Sequence, residues 1–368
     1  MATVQRPPES PFSLRLFKAF GIPIRANITF IFFVAYVAWY SRPDALNGVI
    51  VALMLFACVL LHELGHALVA RRYGIQTRDI TLYFMGGIAM LESKPRPNAE
   101  FWIALAGPAV NLAIVLCLLP FELGAQSRVE GFLNGAGRLT LIDVMFGANL
   151  VLALFNLLPA FPMDGGRVLR ALLGMWLPEV QATGIAASIG QILALLMFLV
   201  GMMYGQFALM LIALVVLFGA GQEVSASRTR SVIAGHQVAD AMQSSFKTIE
   251  SGASMETAAQ LLVEGSQHDF PVVAGEEVIG VLTRNGIARG LASEGPSGYV
   301  AGVMKRDFKR VTADTLLEDA VEMFGDREEG PLLVMAGDEL RGMLTREGVS
   351  EFIMLQDARS RNRPPGRR

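Results

Sequence analysis

The sequence predicts a polytopic α-helical membrane protein of about six spans, with a small membrane-associated β-hairpin and a cytosolic α/β tandem repeat. Mean hydropathy is +0.46. Of the 368 residues, 53% are hydrophobic and only 17% charged, more apolar than an ordinary soluble protein. Long apolar runs recur up to Ser225, after which the composition turns soluble and short segments begin to repeat. The net charge of −2 singles out no partner class, and no nucleic-acid partner is expected.

The apolar runs fall at about 24–40, 49–70, 101–121, 139–158, 185–204 and 207–221. Crossing a ~30 Å hydrocarbon core takes about 20 helical residues, so the first and last runs are short and their boundaries loose. Gln5 to Pro11 is polar and Pro-rich. It lacks a signal-peptide pattern, and the first span is expected to stay attached. Arg6, Arg15 and Lys18 precede the first run; Arg71, Arg72, Arg78, Lys94 and Arg96 follow the second; Arg167 and Arg170 follow the fourth. The opposite side carries Arg42, Arg128 and Arg138. Basic loops stay in the cytosol, so a multi-pass cytoplasmic-membrane protein with both termini cytosolic is expected. Gly201 with Gly205, and Gly219 with Gly221, leave room for close packing or bending of the last two spans.

Between the second and third runs, 80–84 and 88–92 flank Met85-Gly86-Gly87. Two strand-like runs around a glycine pair read as a hairpin. Irregular backbone near membrane depth is tolerated where it is buried or lines a wet cavity. The hairpin's free edge is suited to pair with an extended peptide.

From 236 to 355 the chain repeats. Val238-Ala239-Asp240-Ala241-Met242 recurs as Val300-Ala301-Gly302-Val303-Met304, and Gly280-Val281-Leu282-Thr283-Arg284 as Gly342-Met343-Leu344-Thr345-Arg346, at one common offset. Each copy predicts helix (255–265; 316–325), strand (270–273; 331–335), strand (278–283; 340–345) and helix. The expected domains are 1–225, 236–295, 298–356 and a basic disordered tail at 357–368, able to touch membrane lipid or simply solvated.

His62-Glu63-Leu64-Gly65-His66 lies near the end of the second apolar run. Ionisable groups at membrane depth cost roughly 2.5–3.5 kcal/mol each on insertion scales. The chain holds only four histidines, and two are here. Residues i and i+4 share a helix face, so both imidazoles can reach one ion. Glu63 beside them can take a proton from the attacking water. Zinc hydrolases use three protein ligands and leave a fourth position open. Asp164, in Asn156-Leu157-Leu158-Pro159-Ala160-Phe161-Pro162-Met163-Asp164-Gly165-Gly166-Arg167 at the inner end of the fourth run, is the candidate third ligand. The prolines break the helix and the glycines allow close backbone approach. One zinc ion per chain is expected. Cys58 and Cys117 show no paired spacing, so no disulfide framework is expected. Cys58, one turn before His62, reads either as a packing residue or as a group facing the same cavity.

These motifs resemble the site-2 protease family of intramembrane zinc metalloproteases, through HExxH in the second run and NxxPxxPxDGG after the fourth. Leu16-Phe17-Lys18-Ala19-Phe20-Gly21-Ile22-Pro23-Ile24-Arg25 and Gly107-Pro108-Ala109-Val110-Asn111 add to the resemblance. The repeat resembles a tandem pair of CBS domains, so the chain is similar to the CBS-bearing branch with its archaeal and sporulation-factor-processing members, over about 14–355. The resemblance implies zinc on His62, His66 and Asp164, Glu63 as general base and acid, and Asn156 steadying the oxyanion. Asn156 reads alternatively as a helix-packing group, and Asn111 and Asn149 as polar glue between spans. The implied substrate is a transmembrane helix of a regulatory protein, cut near its cytosolic side. In the CBS pair Thr283 and Thr345 match ligand-contacting positions. The carboxylate that holds the ribose of an adenine nucleotide is replaced by Gly286 and Gly348, which leaves a dimerisation or docking module as the competing reading. A homo-oligomer formed through the CBS pair is expected.

The alternative from another class is a CBS-regulated membrane metal transporter. Transporters repeat their ion ligands in both halves, whereas this constellation occurs once. A proteolytically dead scaffold conflicts with the complete ligand set.

Overall fold

A computed structural model describes residues 12–42, 44–84, 86–123, 140–324 and 330–361. Gln5 to Pro11 with Arg6, Met85, Arg128, Arg138, Leu139, Gly325 and the chain beyond Arg361 lie outside the described residues. Contacts divide the chain into a unit at Glu9–Ser227 and one containing Arg228–Arg368.

The first unit opens with β1 (Ser13–Ala19) and β2 (Ile22–Asn27), joined through Phe20 and Gly21, both at positive φ. The apolar run predicted as a span from 24 therefore starts as a strand. Asn27 then ends the strand by accepting from the Thr29 amide at 3.0 Å, and α1 occupies Ile28–Tyr40. At 13 residues it is about 20 Å long, short of a full crossing. α2 (Ala45–Arg72) follows, then β3 (Thr77–Tyr83) and β4 (Gly86–Leu91), antiparallel to each other. The expected hairpin is thus half of a four-stranded sheet ordered β1-β2-β3-β4, with β2 and β3 parallel. Ile22, Ile24 and Ile80 from this sheet bury against Leu64 and Ala67 of α2, which seats the sheet on the helix that carries the histidines.

Next come α3 (Pro97–Leu123) and α4 (Leu141–Asn156). A reciprocal box between Thr140 and Asp143 starts α4, so its head is a cap and not a continuing apolar run. α5 (Asp164–Leu173), α6 (Glu179–Met203) and α7 (Phe207–Ile233) follow, α7 running on past the unit's end at Ser227. Four helices, α2, α3, α6 and α7, are long and apolar enough to cross a membrane, while α1 and α4 are shorter apolar helices.

In the second unit α8 (Val238–Ala241), β5 (Ile249–Glu250), α9 (Met255–Glu264), β6 (Phe270–Ala274), β7 (Glu277–Leu282) and α10 (Arg284–Ser293) form the first copy. The second copy is α11 (Val300–Val303), β8 (Arg310–Val311), α12 (Leu317–Met323), β9 (Leu332–Ala336), β10 (Glu339–Leu344) and α13 (Arg346–Arg361). Each copy has a three-stranded mixed sheet. The copies exchange partners reciprocally: Gln243 bridges Met343 while Lys305 bridges Val281, and Gln237 bridges Leu316 while Tyr299 bridges Ser254. Val281 and Met343 also meet in one apolar cluster. α13 continues to Arg361 where composition predicts a disordered tail from 357; Leu355, Gln356, Ala358 and Arg359 are good helix formers.

Thr283 and Thr345 do structural work. Their hydroxyls accept from the amides of Gly286 at 3.1 Å and Gly348 at 2.9 Å, starting α10 and α13. Burial pushes the Asp269 carboxyl up against the Arg284 amide that donates to it, and Glu347 of the other copy adds to the rise. Thr283→Ala and Thr345→Ala are each expected to cost about 1 kcal/mol of the second unit's stability by loss of a cap, readable as a fall in its thermal midpoint. An unchanged midpoint in both variants rejects the capping role.

Candidate metal centre

The centre forms where α2, α3 and the start of α5 meet. His62 and His66 are buried on one face of α2, and Asp164 is buried at the first position of α5. One Asp164 carboxylate oxygen, Oδ2, lies 3.1 Å from Nε2 of each imidazole, and the two Nε2 atoms are 3.0 Å apart. These three side chains form the metal-competent group found among the described residues, with one ligand atom from each within 4.8 Å of the others.

Asp164 arrives there through a tight return of the chain. A Cβ at Gly165 would lie 2.2 Å from the Leu158 carbonyl oxygen, and one at Gly166 would lie 2.7 Å from the Ala160 carbonyl carbon. Glycine is required at both places. The helix N-terminus also favours a carboxylate through its exposed amides.

The proton positions of both rings follow from backbone carbonyls. His66 Nδ1 donates to the Ile103 carbonyl at 2.6 Å. His62 Nδ1 lies 2.5 Å from Asn111 Oδ1. Asn111 Nδ2 donates to Asn149 Oδ1 at 2.8 Å, and Asn149 Nδ2 donates to the Met145 carbonyl at 2.8 Å. A carbonyl only accepts, so the orientation of both amides is settled and His62 Nδ1 must carry the hydrogen. Each Nε2 therefore presents a lone pair towards Asp164. Three acceptors this close repel one another unless a cation sits among them, and two imidazoles with one carboxylate suit zinc. The residues fit the ion.

Gly107 of α3 leaves the space. A Cβ there would lie 2.2 Å from His66 Nε2 and 2.6 Å from His62 Nε2. Glu63, half-buried and outside the three-ligand group, lies against β4, where a Cβ at Gly87 would come within 2.7 Å of its Cγ. Asn156 is half-buried at the end of α4, also outside the group. Cys58 accepts from Asn149 Nδ2 at 3.3 Å and lies outside the three-residue group. Asn111, legible in the sequence only as polar glue, instead touches a ring of the centre. Its full burial within an apolar helix is the physical signal of that role, and it is visible only once α2 and α3 are packed.

Residues 50–127 and 126–200 match peptidase family M50, and 238–293 and 300–355 each match the CBS domain. A zinc metalloprotease of Methanocaldococcus jannaschii is 31% identical over 339 residues, 92% of this chain and 95% of that protein. Stage IV sporulation protein FB of Bacillus subtilis is 30% identical over 132 residues, covering 35% of this chain and 42% of its own. The solved site-2 protease from Methanocaldococcus jannaschii is 41% identical, covering 58% of this chain and 95% of that one, with a TM-score of 0.43. The chain belongs to peptidase family M50, the site-2 proteases, as a membrane zinc metalloprotease with a tandem CBS pair. Nothing supports the metal-transporter alternative.

Asn111→Leu leaves the Nδ1 hydrogen of His62 without its acceptor. Zinc affinity is expected to fall about 10–100-fold, read by competition with a chromogenic chelator. Parental affinity in that variant removes Asn111 from the centre.

Proposed function

We propose that His62, His66 and Asp164 hold one zinc ion and that the protein hydrolyses a peptide bond in or near a transmembrane helix of a regulatory membrane protein. The single observation behind the ligand set is the convergence of both Nε2 atoms on one Asp164 oxygen. Zinc bound there supplies Lewis acidity and lowers the pKa of water towards neutrality. Glu63, next to His62 on α2, takes a proton from the attacking water and returns one to the departing amine nitrogen. The Asn156 amide donates to the oxygen on which negative charge develops. β4 pairs with β3 and forms an outer strand of its sheet, and Gly87 brings it against Glu63. An unwound substrate segment adding to that edge lies beside the base.

The same reading places six crossings in a cytoplasmic membrane with both termini cytosolic, α1 and α4 being shorter than the hydrocarbon core and crossing where the lipid thins around them. The basic residues at 71, 72, 78, 94, 96, 167 and 170 support that side assignment. A compartment reporter fused after Ser225 is expected to read cytosolic, and a periplasmic or extracellular readout reverses the topology.

The domain reading is a protease at 1–225 and CBS motifs at 236–295 and 298–356, the pair self-associating and modulating the protease. Gly286 and Gly348 offer no carboxylate to a ribose. ATP is expected to bind the full chain in the high micromolar range or more weakly, by titration calorimetry. Low-micromolar affinity restores nucleotide sensing.

Catalysis is separated from metal binding by two variants. Glu63→Gln is expected to keep stoichiometric zinc while cleavage of a co-expressed membrane substrate falls about 10²–10⁴-fold. Asp164→Ala is expected to lose the zinc. Parental cleavage by Glu63→Gln refutes the proposed base, and full zinc in Asp164→Ala refutes the proposed ligand.

A further inference from the structure

One face of α7 bears on the segment that carries Asp164. Val216 packs with Ala160 and Met163 in one apolar cluster, and Ala220 packs with Phe161 in another. Between them, a Cβ at Gly219 would lie 2.7 Å from Pro162 Cδ. One turn further on, Glu223 pairs with Arg170 of α5. Positions 216, 219, 220 and 223 follow helical spacing and form one stripe. It covers the loop before Asp164 and the far end of the helix that Asp164 begins.

Arg170 is the anchor of that far end. It is 7% exposed, and its Nε donates to Glu100 Oε1 of α3 at 3.0 Å. Its guanidinium also pairs with Glu223 and stands 5.2 Å from the Phe161 ring centroid. A buried guanidinium is costly unless its charge and hydrogens are matched. Here carboxylates from two other helices match it, so Arg170 can sit in few places. α5 has 10 residues, too few to be a stable helix by itself. Its position therefore depends on its anchors. Arg170 lies six positions, about 9 Å of helix, beyond Asp164.

We propose that Glu223 is a positioning residue for the metal centre: by clamping Arg170 it fixes the pitch of α5, and with it the direction in which Asp164 meets His62 and His66. Asp164 is already held at its own end by the Gly165–Gly166 return. What Glu223 removes is the remaining freedom, rotation of α5 about that end. The inference rests on Asp164 being a zinc ligand.

The test uses the full-length detergent-solubilised chain, loaded with zinc alone and checked for fold by circular dichroism. Glu223→Gln is expected to weaken zinc affinity measurably by chelator competition, and by less than the loss of a group that touches a ligand. It should also lower kcat more than it raises KM. Glu223→Asp, which keeps the charge, is expected to recover most of both. Parental zinc affinity in folded Glu223→Gln overturns the proposal, even where its thermal midpoint drops, because a packing role alone moves only the midpoint. Should Glu223→Gln not fold, Arg170→Lys takes its place: it keeps the charge and loses the fork geometry, and parental zinc affinity there overturns the proposal equally. Asp164→Ala, measured alongside, separates the two levels. Retained zinc in that variant sinks the ligand assignment, whereas lost zinc with an unaffected Glu223→Gln sinks only the positioning role.

Discussion

A backbone carbonyl in α4 decides what His62 can do. Met145 accepts from Asn149, Asn149 accepts from Asn111, and Asn111 accepts from the His62 ring. The line crosses from α4 through α3 to α2, and both asparagines are fully buried. In an apolar interior each polar atom left without a partner costs roughly 1–3 kcal/mol. The three helices consequently have one arrangement that satisfies all of them. The Nε2 lone pair of His62 is a product of that arrangement as much as of the motif that places the ring. His66 reaches the same state by a shorter route, through one carbonyl of α3.

Close approach of the helices makes this line possible. A Cβ at Gly65 would lie 2.8 Å from Val110 Cγ2 and 3.0 Å from the Ala106 carbonyl oxygen, and Gly107 faces the two imidazoles from the other side. Small residues at such crossings let backbones come near enough for polar side chains to bridge them. Gly201 serves the same end between α6 and α7, where Met210 and the Gln206 carbonyl stand within 3.1 Å of its notional Cβ. Gly221 has open space around it and Gly205 lies in a turn at φ 64°, so only two of the four late glycines mark contacts.

The convergence of the histidine pair was legible because helical spacing alone puts both rings on one face. Asp164 was legible because a carboxylate between broken helix and paired glycines has few other uses at that depth. The repeat was legible from a shared offset. What stayed hidden is non-local. Ile22 to Asn27 reads as the start of an apolar helix until β1 and β3 are present to pair with it. Asn111 reads as packing until α2 lies beside α3. Thr283 and Thr345 matched ligand-contacting positions, and each hydroxyl also accepts from a helix amide, a local use invisible in the sequence that leaves its hydrogen and second lone pair available. Arg170 counted as one more basic residue on a cytosolic loop, and only the fold shows it enclosed by Glu100 and Glu223.

The exchanged bridges of the CBS pair have a temporal side. Gln243 finds its partner in Met343 and Ser254 finds its own in Tyr299, so the first copy leaves the ribosome with part of its sheet edge unmatched. About 100 residues must be added before the Gln243 bridge can close, which at the usual 5–20 residues per second is a wait of roughly 5–20 s. From the synthesis of Val281 to that of Met343, roughly 3–12 s at the same rate, the Val281 face, which ends fully buried against Leu333 and Met343, stands open to other nascent chains. Duplication thus gave the unit its internal symmetry and also made its first half dependent on the second for shelter during synthesis.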